Sequence, residues 1–243
     1  MSLRDDYADK GLQVIVKLAN IQLTPEKPNY DGGTWHVEGQ IVGILIHLGR
    51  NYGLQRRLER THCGHCDYYY CSSNITTSRL SFRHTVDSHP SNIHYPQNHR
   101  TWLSTLFHCK NEEPSVQHTG SVVAREGRLI TFPNIMQHRV ESFELEDKTK
   151  AGHRKIVALF LVDPNIKILS TAKIPCQRQD WWEEELEKDP ALASEAAGKS
   201  FDDFPIEMDD AKEYRLKLMD ERKVQGQIQR EEFEEYTFSL CEH

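Results

Sequence analysis

Between Lys155 and Val162 the chain reads Ile156-Val157-Ala158-Leu159-Phe160-Leu161, an almost unbroken apolar run. It is bounded by the polar stretch Glu146 to Gly152 and by the turn-forming Asp163-Pro164-Asn165. A run this short and this apolar predicts a strand buried on both faces. Alternate side chains of a strand share a face. Arg154 therefore lies on the same side as Ile156, Ala158, Phe160 and Val162. If that side lines the interior, a guanidinium is carried inside, where an unpaired charge is very costly. Two partners satisfy it: a ligand carboxylate gripped by the guanidinium fork, or a salt bridge to Glu141, Glu144 or Glu146.

Short apolar segments with turn residues between them extend the β pattern. Strands are predicted over Gln13 to Leu23, Thr34 to Gly39, Tyr68 to Tyr70, Ser121 to Ala124, Arg128 to Phe132 and Ile135 to Phe143. Glu126-Gly127 is expected to close a hairpin between the fourth and fifth of these. Ile166 to Ile174 is expected as an edge strand, and Met208 to Val224 as a helix. Strands followed by helices predict a mainly β fold: a double-stranded β-helix (jelly roll) with C-terminal helices packed outside.

From Trp181 on, the chain carries 19 acidic and 8 basic residues, a balance of −11. The whole chain carries −7, so the first 180 residues stand at +4. The reading is a jelly-roll domain over 1–180 and an acidic helical extension over 181–243. No clustered basic stripe suggests nucleic acid. The longest apolar run, Ile41 to Leu48, is far below the ~20 residues that span a bilayer. Met1 to Asp6 shows no secretory leader. An intracellular protein, cytoplasmic or nuclear, with reduced thiols is expected.

His36 and Glu38 fall at i and i+2 of a predicted strand and project side by side. Gly32-Gly33 precedes them. His138 follows the Pro133-Asn134 turn. Brought together, the three offer two imidazoles and one carboxylate, the set that suits non-haem Fe(II) and leaves coordination positions open.

These residues resemble the Fe(II)- and 2-oxoglutarate-dependent oxygenases, whose pattern is His-x-Asp/Glu, a distant His, and an Arg or Lys on the last core strand. The local wording is closer still to a fungal family of unassigned activity, domain-of-unknown-function family 4246. The matching stretches are Leu12 to Gly39, Tyr68 to Arg83, Gly120 to Val140, Gly152 to Pro164 and Pro175 to Arg178. The resemblance implies Fe(II) on His36, Glu38 and His138, and the far carboxylate of 2-oxoglutarate on Arg154. It also implies a phenol hydrogen bond to that cosubstrate from the tyrosine run, with Tyr68 and Tyr70 the preferred donors over Tyr69. The implied reaction hydroxylates or otherwise oxidises a small-molecule or protein substrate and releases succinate and carbon dioxide. The alternative is a cupin-like module that holds metal or ligand without turnover, or an inactive truncated homologue.

Gln40 to Asp67 departs from the family. Its Cys63-Gly64-His65-Cys66, with His62, suggests zinc, but four ligands within five residues cannot all reach one tetrahedral ion. Read one base out of register, the codons of Thr61 to Asp67 can encode His-Ile-Val-Ala-Thr-Ala-Ile, an apolar strand that resembles the family there. Residues 40–67 are accordingly expected to be unspliced or frame-shifted sequence, leaving the chain without a core strand beside the metal. The resemblance further implies a longer N-terminus.

Overall fold

The computed structural model describes residues 3–38, 62–86, 96, 99, 101–174, 176–197, 205–235 and 237. The chain divides into two compact units, Met1–Lys167 with Ile228–His243, and Ile168–Gln227. Composition places the change at residue 180, somewhat later, because the acidic residues begin only after the second unit has started.

Among the described residues the first unit has nine strands: β1 (Val14–Leu23), β2 (Asn29–Tyr30), β3 (His62–Ser73), β4 (Arg79–Thr85), β5 (Val116–Val123), β6 (Leu129–Pro133), β7 (Gln137–Val140), β8 (Phe143–Glu144) and β9 (Gly152–Val162). They form a four-stranded sheet in the order β1-β9-β3-β6, a three-stranded sheet in the order β5-β4-β7, and the pair β2-β8. All pairings are antiparallel. A helix, α1 (Leu3–Tyr7), precedes β1, and a single π-helical turn, Leu103–Phe107, precedes β5. The fold is mainly β and antiparallel, as the short strands predict.

The apolar run forms β9, at the centre of the larger sheet between β1 and β3. Its burial alternates strictly. Gly152, Arg154, Ile156, Ala158, Phe160 and Val162 are buried, while their neighbours are only half-buried. The expectation of burial on both faces is corrected here: an antiparallel sheet can leave one face toward water. Tyr69, Ile130, Phe132 and Ile156 of the larger sheet share one core with Leu80 and Phe82 of the smaller. Gly152 is required where it stands, because a Cβ would lie 2.4 Å from the Asn74 carbonyl oxygen and 2.7 Å from Leu145 Cδ2.

Three further expectations are corrected. The Glu126-Gly127 turn exists, with Gly127 at φ 77°, but it is no hairpin. It carries the chain from β5 in the smaller sheet to β6 in the larger. Its grip is long-range, since the Gly127 N–H donates to the Tyr69 carbonyl at 2.8 Å. The stretch His62 to Asp67, expected to leave the sheet short of a core strand, is the first half of β3 and pairs with both β9 and β6. The sheet therefore has its strand beside the candidate site, and residues 40–61 of the same atypical segment lie outside the described residues. Ile166 to Ile174 forms no strand.

The second unit holds α2 (Gln179–Lys188), α3 (Pro190–Ala196) and the greater part of α4 (Met208–Glu234). Asp189 caps α3, its carboxylate accepting from the Ala191 and Leu192 N–H groups, with Pro190 in the first turn. The helix predicted from Met208 continues ten residues past Val224. No helix among the described residues is long and apolar enough to cross a membrane.

Candidate metal centre

His36 and Glu38 do not sit in a regular strand. A single antiparallel bridge joins His36 to His138 of β7. The two residues exchange both backbone hydrogen bonds, at 3.2 and 3.0 Å. That bridge fixes the two imidazoles side by side, with ring centroids 4.5 Å apart. Glu38, two residues on, points the same way, and its Oε1 stands 3.6 Å from His36 Nε2. Asn134 in the turn before β7 donates to the Glu38 carbonyl at 2.9 Å and ties the two chain segments together. One donor atom from each of His36, Glu38 and His138 lies within 4.8 Å of the other two, so the three could hold one metal ion.

The residues flanking both histidines face the other way. Trp35 receives the Arg139 guanidinium at 4.6 Å and that of Arg83 at 4.8 Å from its ring centre. Arg83 is itself buried, bonded to Gln137 at 2.7 Å and paired with Glu234 at 2.8 Å. This stacked layer holds the ligand-bearing segments from behind, the supporting role that outer contacts play at metal sites.

The protonation balance favours metal binding at His138 and Glu38 and opposes it at His36. The Nδ1 of His36 lies 2.8 Å from the Thr34 carbonyl oxygen, to which it donates, leaving Nε2 as the free lone pair. Burial, reinforced by the charges of His36 and His65, holds His138 well below the ordinary histidine value, in the neutral form a metal needs. Burial lowers His36 too, but the Glu38 carboxylate and the Thr34 carbonyl outweigh it and raise the net value. Burial alone would raise Glu38, yet His36 and Lys17 hold it well below the carboxylate range. Lys17 of β1 reaches in with Nζ 2.8 Å from Glu38 Oε1, supplying a positive charge at the centre.

These shifts set the acid stability of the metal-free chain. Below pH 6.5 the unfolded chain binds a proton at His138 that the folded chain refuses. Deeper in acid, ionised Glu38 loses its contribution in the same direction. His36, with its raised value, acts oppositely, its contribution being lost as pH rises, but the His138 displacement is the larger. The melting temperature in chelator is expected to fall from pH 7 to pH 4, with a shallower slope between pH 6.5 and 5 for His138→Ala.

Arg154 is fully buried, between the rings of Tyr69 and Phe143 at 4.9 and 5.6 Å. One Nη donates to the Ser78 hydroxyl. Its Nε and other Nη have no hydrogen-bond partner among the described residues. The salt bridges weighed from sequence do not form. Glu141 accepts from Ser81, Glu144 pairs with Lys148 at 2.8 Å, and Glu146 is exposed. A buried guanidinium with two unanswered donors has the form of an anion site.

The tyrosine assignment is corrected. Tyr68 and Tyr70 are 40% and 38% exposed on the outer face of β3, whereas Tyr69 is fully buried against Arg154. Burial and the nearby Asp67 push the Tyr69 phenol upward, so it stays a donor. Two more residues have a place the sequence did not indicate; it offers His65 only as a zinc ligand and gives Asp67 no role. His65 and Asp67 lie buried on the same inner face, joined Nε2 to Oδ1 at 2.9 Å, with the His65 ring 5.0 Å from that of His138. Their period-two spacing with Tyr69 was the available signal. Cys63 is exposed and contacts the Leu161 carbonyl, away from this inner face.

The class defined by fold and site is a mainly β protein of antiparallel sheets with a two-histidine, one-carboxylate cluster able to hold a metal. Residues 1–185 match the family described as protein of unknown function (DUF4246), and the chain belongs to that family. No curated protein matches the chain.

Proposed function

We propose that this protein is an Fe(II)- and 2-oxoglutarate-dependent oxygenase. The observation that carries the reading is Arg154: a fully buried guanidinium with two unpartnered donors, in the same unit as a two-histidine, one-carboxylate cluster. A dicarboxylate keto acid answers both features at once. Its far carboxylate takes the Arg154 fork, helped by Ser78 and the Tyr69 phenol. His36, Glu38 and His138 would hold the metal, which would take the keto acid end. Bound there, Fe(II) supplies the activation of dioxygen. The protein orients the cosubstrate and keeps water from it. The balance is that of a coupled oxidation: 2-oxoglutarate and O2 become succinate and CO2, and one oxygen atom enters a C–H bond of the substrate. The two larger sheets, which share one core, fit the two halves of a double-stranded β-helix.

One observation favours a second reading, a module that holds metal or ligand without turnover. Lys17 already neutralises Glu38. Fe(II)-loaded full-length chain, supplied with 2-oxoglutarate in air, is expected to form succinate slowly even without a prime substrate. Retention of metal and cosubstrate with no succinate over hours supports the module instead.

A further inference from the structure

The buried face of β3 carries three polar residues in succession, His65, Asp67 and Tyr69, while Cys66, Tyr68 and Tyr70 turn outward. Asp67 is a buried acid that meets His65 Nε2 at 2.9 Å, with the Tyr69 phenol also under the influence of its carboxylate. Its register partner on β9 is Ala158, and that of Tyr69 is Ile156. Arg154 is the next inward residue of β9 after Ile156. The acid thus stands one inward position from the phenol and two from the guanidinium. It makes no ion pair with Arg154 within contact distance, so Nε and one Nη of the guanidinium stay unanswered. Its charge is nevertheless felt there: the Asp67 carboxylate favours the charged form of Arg154 and the neutral, donor form of Tyr69.

We propose that Asp67 is a built-in opponent of the dicarboxylate cosubstrate: its carboxylate stands next to the guanidinium and phenol that would receive the anion, without pairing with the guanidinium, and repels the anion that comes to them. This rests on the dicarboxylate reading above. Asp67 is too far to satisfy Arg154 and close enough to oppose a second carboxylate beside it. The chain as it stands therefore binds a dicarboxylate weakly. Two like charges in a partly desolvated site weaken binding by about tenfold or more.

The test is calorimetric titration of the Mn(II)-loaded full chain with 2-oxoglutarate, and separately with succinate. The wild type is compared with Asp67→Asn, which keeps the hydrogen bond to His65, with Asp67→Leu, which removes it, and with Arg154→Met. Both Asp67 variants are expected to bind 2-oxoglutarate about tenfold more tightly than wild type, and Arg154→Met to lose binding. Equal or weaker binding by both Asp67 variants, with Arg154→Met still deficient, overturns the opposing role and leaves the dicarboxylate reading standing; it means the His65–Asp67 pair acts as a neutral unit. Wild-type affinity in Arg154→Met, or no binding by any form, overturns both.

Discussion

His138→Ala is expected to lower metal affinity by at least a hundredfold. Losing an outer contact to a metal ligand already costs 10–100-fold, and here a ligand itself goes. The geometry leaves no substitute within the cluster, since His36, Glu38 and His138 are the only described residues that bring three donor atoms within 4.8 Å. The His138 ring also packs edge-on against Phe132 at 4.8 Å, so the variant loses some core contact. The cost is partly offset, because the buried imidazole resists protonation and its removal relieves acid sensitivity. The expected pattern is a folded protein, by circular dichroism and cooperative melting, that fails to take up Mn(II) or Fe(II) at concentrations saturating the wild type.

Arg154→Met is expected to make the ligand-free protein more stable and abolish dicarboxylate binding. Replacing a buried ion pair by apolar side chains of similar volume is often neutral or stabilising by about 1–4 kcal/mol, and a guanidinium that makes no ion pair among the described residues has less Coulomb energy to lose and the same desolvation cost to relieve. Arg154 is a strong case, fully buried with a single neutral hydrogen-bond partner in Ser78. Tyr69 and Phe143 already provide an apolar slot for the new side chain. Wild-type protein at a 2-oxoglutarate concentration a hundred times its Kd gains about 2.7 kcal/mol. The variant gains none. Thermal melts with and without ligand separate the two terms: a higher baseline for Arg154→Met and a ligand-induced rise in the wild type alone. A destabilised ligand-free variant means that Arg154 is structural.

What the sequence disclosed and what it hid divide along one physical line. Period-two alternation placed Arg154 on the buried face with Ile156, Ala158, Phe160 and Val162, and the structure has it so. The i, i+2 relation of His36 and Glu38 likewise puts both side chains at one point. Parity is local, and sequence carries it. Pairing is not. Glu126-Gly127 has the chemistry of a turn, but nothing in those residues says that the strands on either side join different sheets. Three consecutive tyrosines do not mark their own inward member; register with Ile156 of β9 and the irregularity after Tyr69 select it. His62 to Asp67 read as foreign to a sheet because polar side chains stand where apolar ones are expected, and a buried His65–Asp67 pair erases the hydrophobic period that identifies a strand. Lys17 escaped notice as one cation among the apolar residues of β1, and only the fold shows that it meets Glu38.

The central claim is a metal on His36, Glu38 and His138 that shares one dicarboxylate with Arg154. The most direct measurement is an anaerobic titration of the full chain with Fe(II) and then 2-oxoglutarate, followed by visible absorption. A weak metal-to-ligand charge-transfer band that saturates at one equivalent of iron, and is missing in both His138→Ala and Arg154→Met, is the predicted result. No band in the wild type at saturating iron and 2-oxoglutarate, or an undiminished band in His138→Ala, contradicts it.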